Sequence, residues 1–186
     1  TDRSLEIIQN YCQKDSMVKV LTLSRNFGYQ ASIKAGLTYA NGDGIVVIDV
    51  DCEDPPEMIP KFVTEWEKGY DIVYGIRTKR PEPIVIQWMR KLFYRLNKKI
   101  SDSEIILDMA EFSLVSSHIR EFMISNNSTY PFLRTEIGYV GFNRLGILYN
   151  REKRVAGKTH LNIFSMFQFA IAGILTSSTF PLRVVM

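Results

Sequence analysis

Between Asn41 and Glu57 the chain reads NGDGIVVIDVDCEDPPE, and few backbone arrangements accommodate that order. Asn41-Gly42-Asp43-Gly44 is a turn cluster. Ile45 to Ile48 is a short, unbroken apolar run, the pattern of a strand covered on both faces of a parallel sheet. Asp49, Asp51, Glu53 and Asp54 then crowd together, and Pro55-Pro56 opens a helix, because proline is tolerated in a first helical turn. Side chains two apart on an extended chain point the same way, so Asp49 and Asp51 are expected to converge. The carboxyl edge of an open α/β sheet is where ligands bind. Like charges held close raise one another's pKa unless a cation or donors compensate. A hard divalent ion, Mg²⁺ or Mn²⁺, is the natural occupant, with Glu53 able to join its oxygen shell. The structural alternative is that Asp54 caps the Pro-Pro helix while the others solvate a turn.

The flanking sequence repeats the same alternation of elements. Leu5, Ile7, Ile8 and Tyr11 have helical spacing behind Ser4 as N-cap, Val18 to Leu23 alternates as a strand, and Tyr29 to Ala40 reads as a helix. The Pro55-Pro56 helix runs through Ile59, Phe62, Val63 and Trp66 to Lys68-Gly69, and Asp71 to Tyr74 is a further strand. That rhythm predicts an α/β fold with right-handed crossovers. Beyond it, Ile84 to Ile100 patterns as a basic amphipathic helix, with either a solvated basic face or a membrane surface as its counterpart. Glu111 to Val115 and Leu145 to Tyr149 read as strands, and Ser117 to Ile124, Thr129 to Tyr139 and Asn162 to Ser177 as helices, the last of them apolar. Its core, Ile163 to Leu175, is too short to cross about 30 Å of hydrocarbon but could lie on a membrane surface.

With 186 residues, 46% hydrophobic and 23% charged, the chain is large enough for one domain with a real core. A formal charge of +3 implies no nucleic-acid partner; the basic residues cluster instead between Arg77 and Lys99. Cys12 and Cys52 are too few for a disulfide framework or a zinc site and read as two buried thiols in a reducing cytosolic compartment. No signal-peptide pattern precedes the first helix.

The segment LSRNFGYQASIKAGLTYANGDGIVVIDVDCEDPPEMIP closely resembles the centre of family 2 glycosyltransferases of the polyprenyl-phosphate type, the dolichol-phosphate mannose synthase and bactoprenol glucosyltransferase-like group. EKGYDIVYGIRTKR, LFYRLNKKIS, LDMAEFSLV, FLRTEIGYVGF and AGKTH…FPLR have counterparts there in the same order. The resemblance implies a GT-A, Rossmann-like nucleotide-sugar-binding fold. It also implies inverting transfer of a sugar from a nucleotide-diphosphate donor to a polyprenyl (undecaprenyl or dolichyl) phosphate at the cytoplasmic membrane face.

Carried over residue by residue, the resemblance makes Asp49 a donor and metal contact and Asp51 a metal ligand. Glu53 stands as a further ligand where relatives have Gln. Arg25, Asn26 and Gly28 fall in the loop that helps hold the nucleotide, where glycine lets backbone approach closely. Arg77 and Arg80 fall in the basic loop that meets phosphate, for which a guanidinium fork is suited. The family's Asp-x-Gly-Asp-Phe-Arg motif here reads Asp108-Met109-Ala110-Glu111-Phe112-Ser113, which makes Asp108 and Glu111 the catalytic candidates. Arg154, Thr159 and His160 belong to the Gly-x-Ser/Thr-Lys segment, with His160 in place of Lys; His118 reads as structural.

The same comparison makes residues 1–186 a single partial GT-A domain, with a basic amphipathic helix over 84–100 and an apolar interfacial helix over 162–177. Thr1-Asp2 resembles the tail of the motif ending the family's second strand, so the first two strands are expected to be absent, and the family's transmembrane helices would follow Phe180-Pro181-Leu182-Arg183. The strands at Val18 and Ile45 would then face a gap, an edge that invites aggregation or a second copy of the chain in a homo-oligomer. Two other readings stand beside lipid-phosphate transfer: a family 2 transferase acting on a soluble or cell-surface glycan, and an inactive fragment or nucleotide-binding module.

Overall fold

The computed structural model describes residues 3–78, 88, 95, 109–125, 137–138 and 141–152. The expected helices over 84–100, 129–139 and 162–177 lie wholly or largely outside them; Trp88 and Arg95 are described, both helical and exposed. The elements run α1 (Ser4–Lys14), α2 (Tyr29–Tyr39), β1 (Gly44–Val47), a 3-10 turn (Pro56–Met58), α3 (Ile59–Glu67), β2 (Ile72–Arg77), β3 (Met109–Ser116), α4 (Ser117–Ser125) and β4 (Arg144–Tyr149).

The sheet is mixed, not parallel. Its order is β1-β3-β2-β4, with β3 antiparallel to both neighbours and β4 parallel to β2. The doubly covered strand is therefore β3, all of whose residues are buried, and not β1. Among the described residues β1 has a partner on one side only, which leaves Val46 and Val47 half-buried. Val18 to Leu23, expected as a strand, joins no ladder in this sheet, and Leu21 and Leu23 stay exposed. Alternation alone does not make a strand, since backbone groups need a neighbour to pair with.

Period-2 alternation sorts β3 onto two cores. Met109 and Val115 join Ile45, Ile72 and Tyr74 beneath α2 and α4, where Leu37, Ile119 and Met123 fill the interface. Ala110, Phe112 and Leu114 join Val73, Ile147 and Tyr149 against Phe62 of α3, with the Phe62 and Phe112 rings 4.7 Å apart. Arg120 of α4 donates to the carbonyls of Leu37 at 2.7 Å and Thr38 at 2.6 Å, so a cation closes the carboxyl end of α2. The thiols are not buried as expected: Cys12 is half-buried and Cys52 exposed.

Gly75 in β2 lies under the Tyr149 ring, and a Cβ there would stand 2.6 Å from Cε1. The ring is pinned at its hydroxyl and cannot swing aside cheaply. Gly75→Ala is expected to destabilise the protein by about 1–3 kcal/mol, the scale of overpacking a filled core, as read from the urea midpoint.

Candidate active site

The elements bring their chemistry to one edge. Asp49 follows the carboxyl end of β1, Arg77 closes β2 and Tyr149 closes β4 in register with it. Because β3 runs the other way, Glu111 near its start reaches the same edge. Two networks meet there, one toward α2 and one toward α3.

On the α2 side, Gly28 takes φ +92°, a conformation suited to glycine, and its N–H donates to Asn26 Oδ1 at 2.8 Å. That turn launches α2, whose first two residues serve the site. Tyr29 Oη donates to Asp49 Oδ1 at 2.6 Å, and Gln30 Nε2 donates to Glu111 Oε1 at 3.3 Å. Arg25 lies over the Phe27 ring, 4.5 Å from its centroid, in the same loop. The loop residues Arg25, Asn26 and Gly28 are thus tied through two consecutive helix residues to two of the expected carboxylates.

On the α3 side the centre is Asp54, which is completely buried. It caps nothing: the 3-10 turn after it has no side-chain cap. It accepts instead from Tyr149 Oη and, at 3.5 Å, from Arg77 Nη2, while Arg77 Nε donates to Tyr149 Oη at 3.2 Å. Burial, and then the hydrogen bond to Asp54, push the Tyr149 hydroxyl up to about 12. For Arg77, burial works against the charge, but Tyr149 and Asp54 more than offset it and hold the guanidinium above its ordinary range. Arg77, expected as a phosphate contact, spends two nitrogens of its fork inside the protein.

The acidic run is arranged differently from the expected three-ligand shell. Among the described residues no three His, Cys, Asp or Glu side chains are grouped to hold a metal ion. The physical reason lies in the backbone. Cys52 adopts φ +58°, so the two-residue alternation that would bring Glu53 to the side of Asp49 and Asp51 is broken. Asp51 Oδ1 accepts the Glu53 N–H at 3.2 Å. Glu53 is buried and ion-paired with Arg151, whose Nη2 also lies 3.8 Å from Asp51 Oδ2 and whose Nε lies 3.8 Å from Asp54 Oδ1. The Glu152 N–H donates to the Glu53 carbonyl at 2.9 Å, fastening the end of β4 to this loop.

Asp108, Arg80, Arg154, Thr159 and His160 lie outside the described residues. His118 is remote from this edge. It pairs with Asp71 at 3.1 Å beside an open hollow of about 440 Å³ at the opposite end of the strands.

Comparison with known proteins fits this geometry. Residues 1–128 match the model of Glycosyl transferase family 2. The chain belongs to that family. An α/β sheet with acidic residues at its edge agrees with the GT-A, Rossmann-like fold expected of a family 2 glycosyltransferase. Family 2 relatives include an uncharacterized glycosyltransferase, YkcC, of Bacillus subtilis (strain 168), 38% identical over 98% of this chain and 57% of its own length. The bactoprenol glucosyl transferase of Shigella phage SfV is 34% identical over 98% of this chain and 60% of its own length. The prophage bactoprenol glucosyl transferase homolog of Escherichia coli (strain K12) is likewise 34% identical over the same shares. The chain thus spans somewhat under two thirds of the length of these relatives.

Four contributors to this family 2 site were not singled out from sequence: Tyr29, Gln30, Tyr149 and Arg151. The sequence offers Asp54 only as a helix cap. A carboxylate directly before Pro-Pro had no exposed task assigned to it, which was the one available signal.

Proposed function

We propose that this chain forms the donor side of an inverting glycosyltransferase that moves a sugar from a nucleotide diphosphate to a polyprenyl phosphate at the cytoplasmic face of a membrane. The observation that carries the reading is the anchoring of Asp49 and Glu111 by the consecutive residues Tyr29 and Gln30 at one sheet edge. It is supported by the names of the bactoprenol glucosyl transferases to which the chain is similar over 98% of its length. Among the described residues no helix is long and apolar enough to cross a membrane.

With Glu53 engaged by Arg151, the donor set for a cation is Asp49 and Asp51. Two hard carboxylates fit Mg²⁺ or Mn²⁺, ions commonly held by one or two protein carboxylates plus substrate phosphates. When bound there, the ion would neutralise charge developing on the diphosphate leaving group. The protein's own residues do the rest. Tyr29 fixes the orientation of Asp49. Asp54 and Tyr149 hold Arg77 at the same edge, so that positive charge stands near the leaving group. Glu111, steadied by Gln30, stands ready to orient the acceptor phosphate or take its proton. The acceptor is already an anion near neutral pH, so positioning outweighs proton removal.

The test is calorimetric titration of UDP, then GDP, with and without Mn²⁺. Metal-dependent binding of one nucleotide is expected, weakened at least about tenfold by Asp51→Ala, the scale of one lost charge-assisted contact. Equal binding by the variant would sink the assignment of Asp51.

A further inference from the structure

Arg151 stands within 4 Å of three carboxylates of the acidic run, where Arg77 reaches only Asp54 at that range among the described residues. The Arg151 guanidinium is paired with Glu53 and stands 3.8 Å from both Asp51 and Asp54. Its Nε is buried yet has no hydrogen-bond acceptor within reach among the described residues. The fork is held by charge on three sides without being fully satisfied. An arginine satisfied by one partner would stay put in any state of the site. One shared among three carboxylates can be drawn elsewhere when a better anion arrives, because a phosphate offers the bidentate geometry that these partners do not.

We propose that Arg151 is an internal counter-ion that occupies the charge environment of the divalent-cation site and yields it when the donor diphosphate enters. The inference rests on the reading of Asp49 and Asp51 as the cation's ligands. A bare cation approaching Asp51 meets a guanidinium already neutralising that carboxylate, so metal alone binds weakly. A nucleoside diphosphate gives Arg151 a new partner and the cation new oxygens together. Each then favours the other, and thermodynamic linkage makes the coupling reciprocal. Glu53 is the tether in this device. Where a neutral glutamine would merely contribute an oxygen, a carboxylate holds the guanidinium over the site.

The experiment measures Mn²⁺ binding to the full chain by electron paramagnetic resonance, alone and with a saturating nucleoside diphosphate (UDP or GDP). Wild type is set against Arg151→Met and the neutral but hydrogen-bonding Arg151→Gln. Loss of the counter-ion is expected to tighten Mn²⁺ alone by about tenfold, to weaken nucleotide alone, and to shrink the coupling between them, within the usual 5–150-fold span of site coupling. On the unaltered chain, the Arg151 Nε resonance should shift when UDP or GDP is added in the presence of Mg²⁺ and stay in place with Mg²⁺ alone. Unchanged or weaker Mn²⁺ binding in the variants, or a resonance indifferent to nucleotide, would overturn the proposal while leaving the cation site standing. Wild-type Mn²⁺ binding insensitive to Asp51→Ala would remove the cation site itself, and the proposal with it.

Discussion

Asp54→Ala is expected to lower the unfolding free energy by about 3–5 kcal/mol, the cost of removing one partner from a buried charged pair. Asp54 is fully buried, and its loss leaves the Tyr149 hydroxyl without its acceptor and the Arg77 and Arg151 guanidiniums without the carboxylate between them. A shift of that size would show in urea denaturation as a midpoint far below that of wild type. Asp54→Asn should recover part of it, because an amide oxygen still accepts from Tyr149. A loss below about 1 kcal/mol in the alanine variant would mean that Asp54 is surface chemistry after all. The damage should also reach ligand binding, since Arg77 would lose one of the two groups that aim it and Tyr149, the other, would lose its own acceptor.

Glu111→Gln carries the largest expected effect on turnover. If Glu111 acts on the acceptor, sugar transfer should fall by about 10²–10⁴-fold, the usual span for a positioned acid or base. Nucleotide affinity should change less than turnover, because Glu111 is held by Gln30 and is not among the carboxylates assigned to the cation. The isosteric amide keeps the space filled, so the folding midpoint should stay near wild type. Transfer within about threefold of wild type would reassign Glu111 to a structural role beside Gln30; the comparison needs single-turnover rates with donor and lipid-phosphate acceptor.

The sequence made the helices and the acidic edge legible, for identifiable reasons. Ile59, Phe62, Val63 and Trp66 recur at helical spacing and Phe62 ends up buried, and the Asn-Gly-Asp-Gly turn marks the start of β1 within a residue. Strand partners were another matter. The apolar run Ile45 to Ile48 has the same composition whether its neighbours are parallel or antiparallel, and pairing with β3 is decided some seventy residues later. The geometry of the acidic loop was hidden for a more local reason. One residue, Cys52, takes a left-handed conformation that non-glycine residues seldom adopt, and it sends Glu53 to Arg151 instead of to Asp51's side. Neither the Asp54–Tyr149 bond nor the Arg151 pairings follow from any spacing, because they join parts of the chain 95 residues or more apart. Only the closing of β4 against β2 brings them together.

The direction of β3 has a consequence for how such a protein can diversify. β2 ends at Arg77 and β3 begins at Met109, neighbours in the ladder, so the connection 78–108 leaves and returns at the edge that carries Asp49, Glu111 and Tyr149. A connection tethered at both ends beside the chemistry behaves as an exchangeable module. Its length can change without moving a single rung of the sheet, because the ladder partners of Arg77 and Met109 lie in β4 and β2 and not in the connection itself.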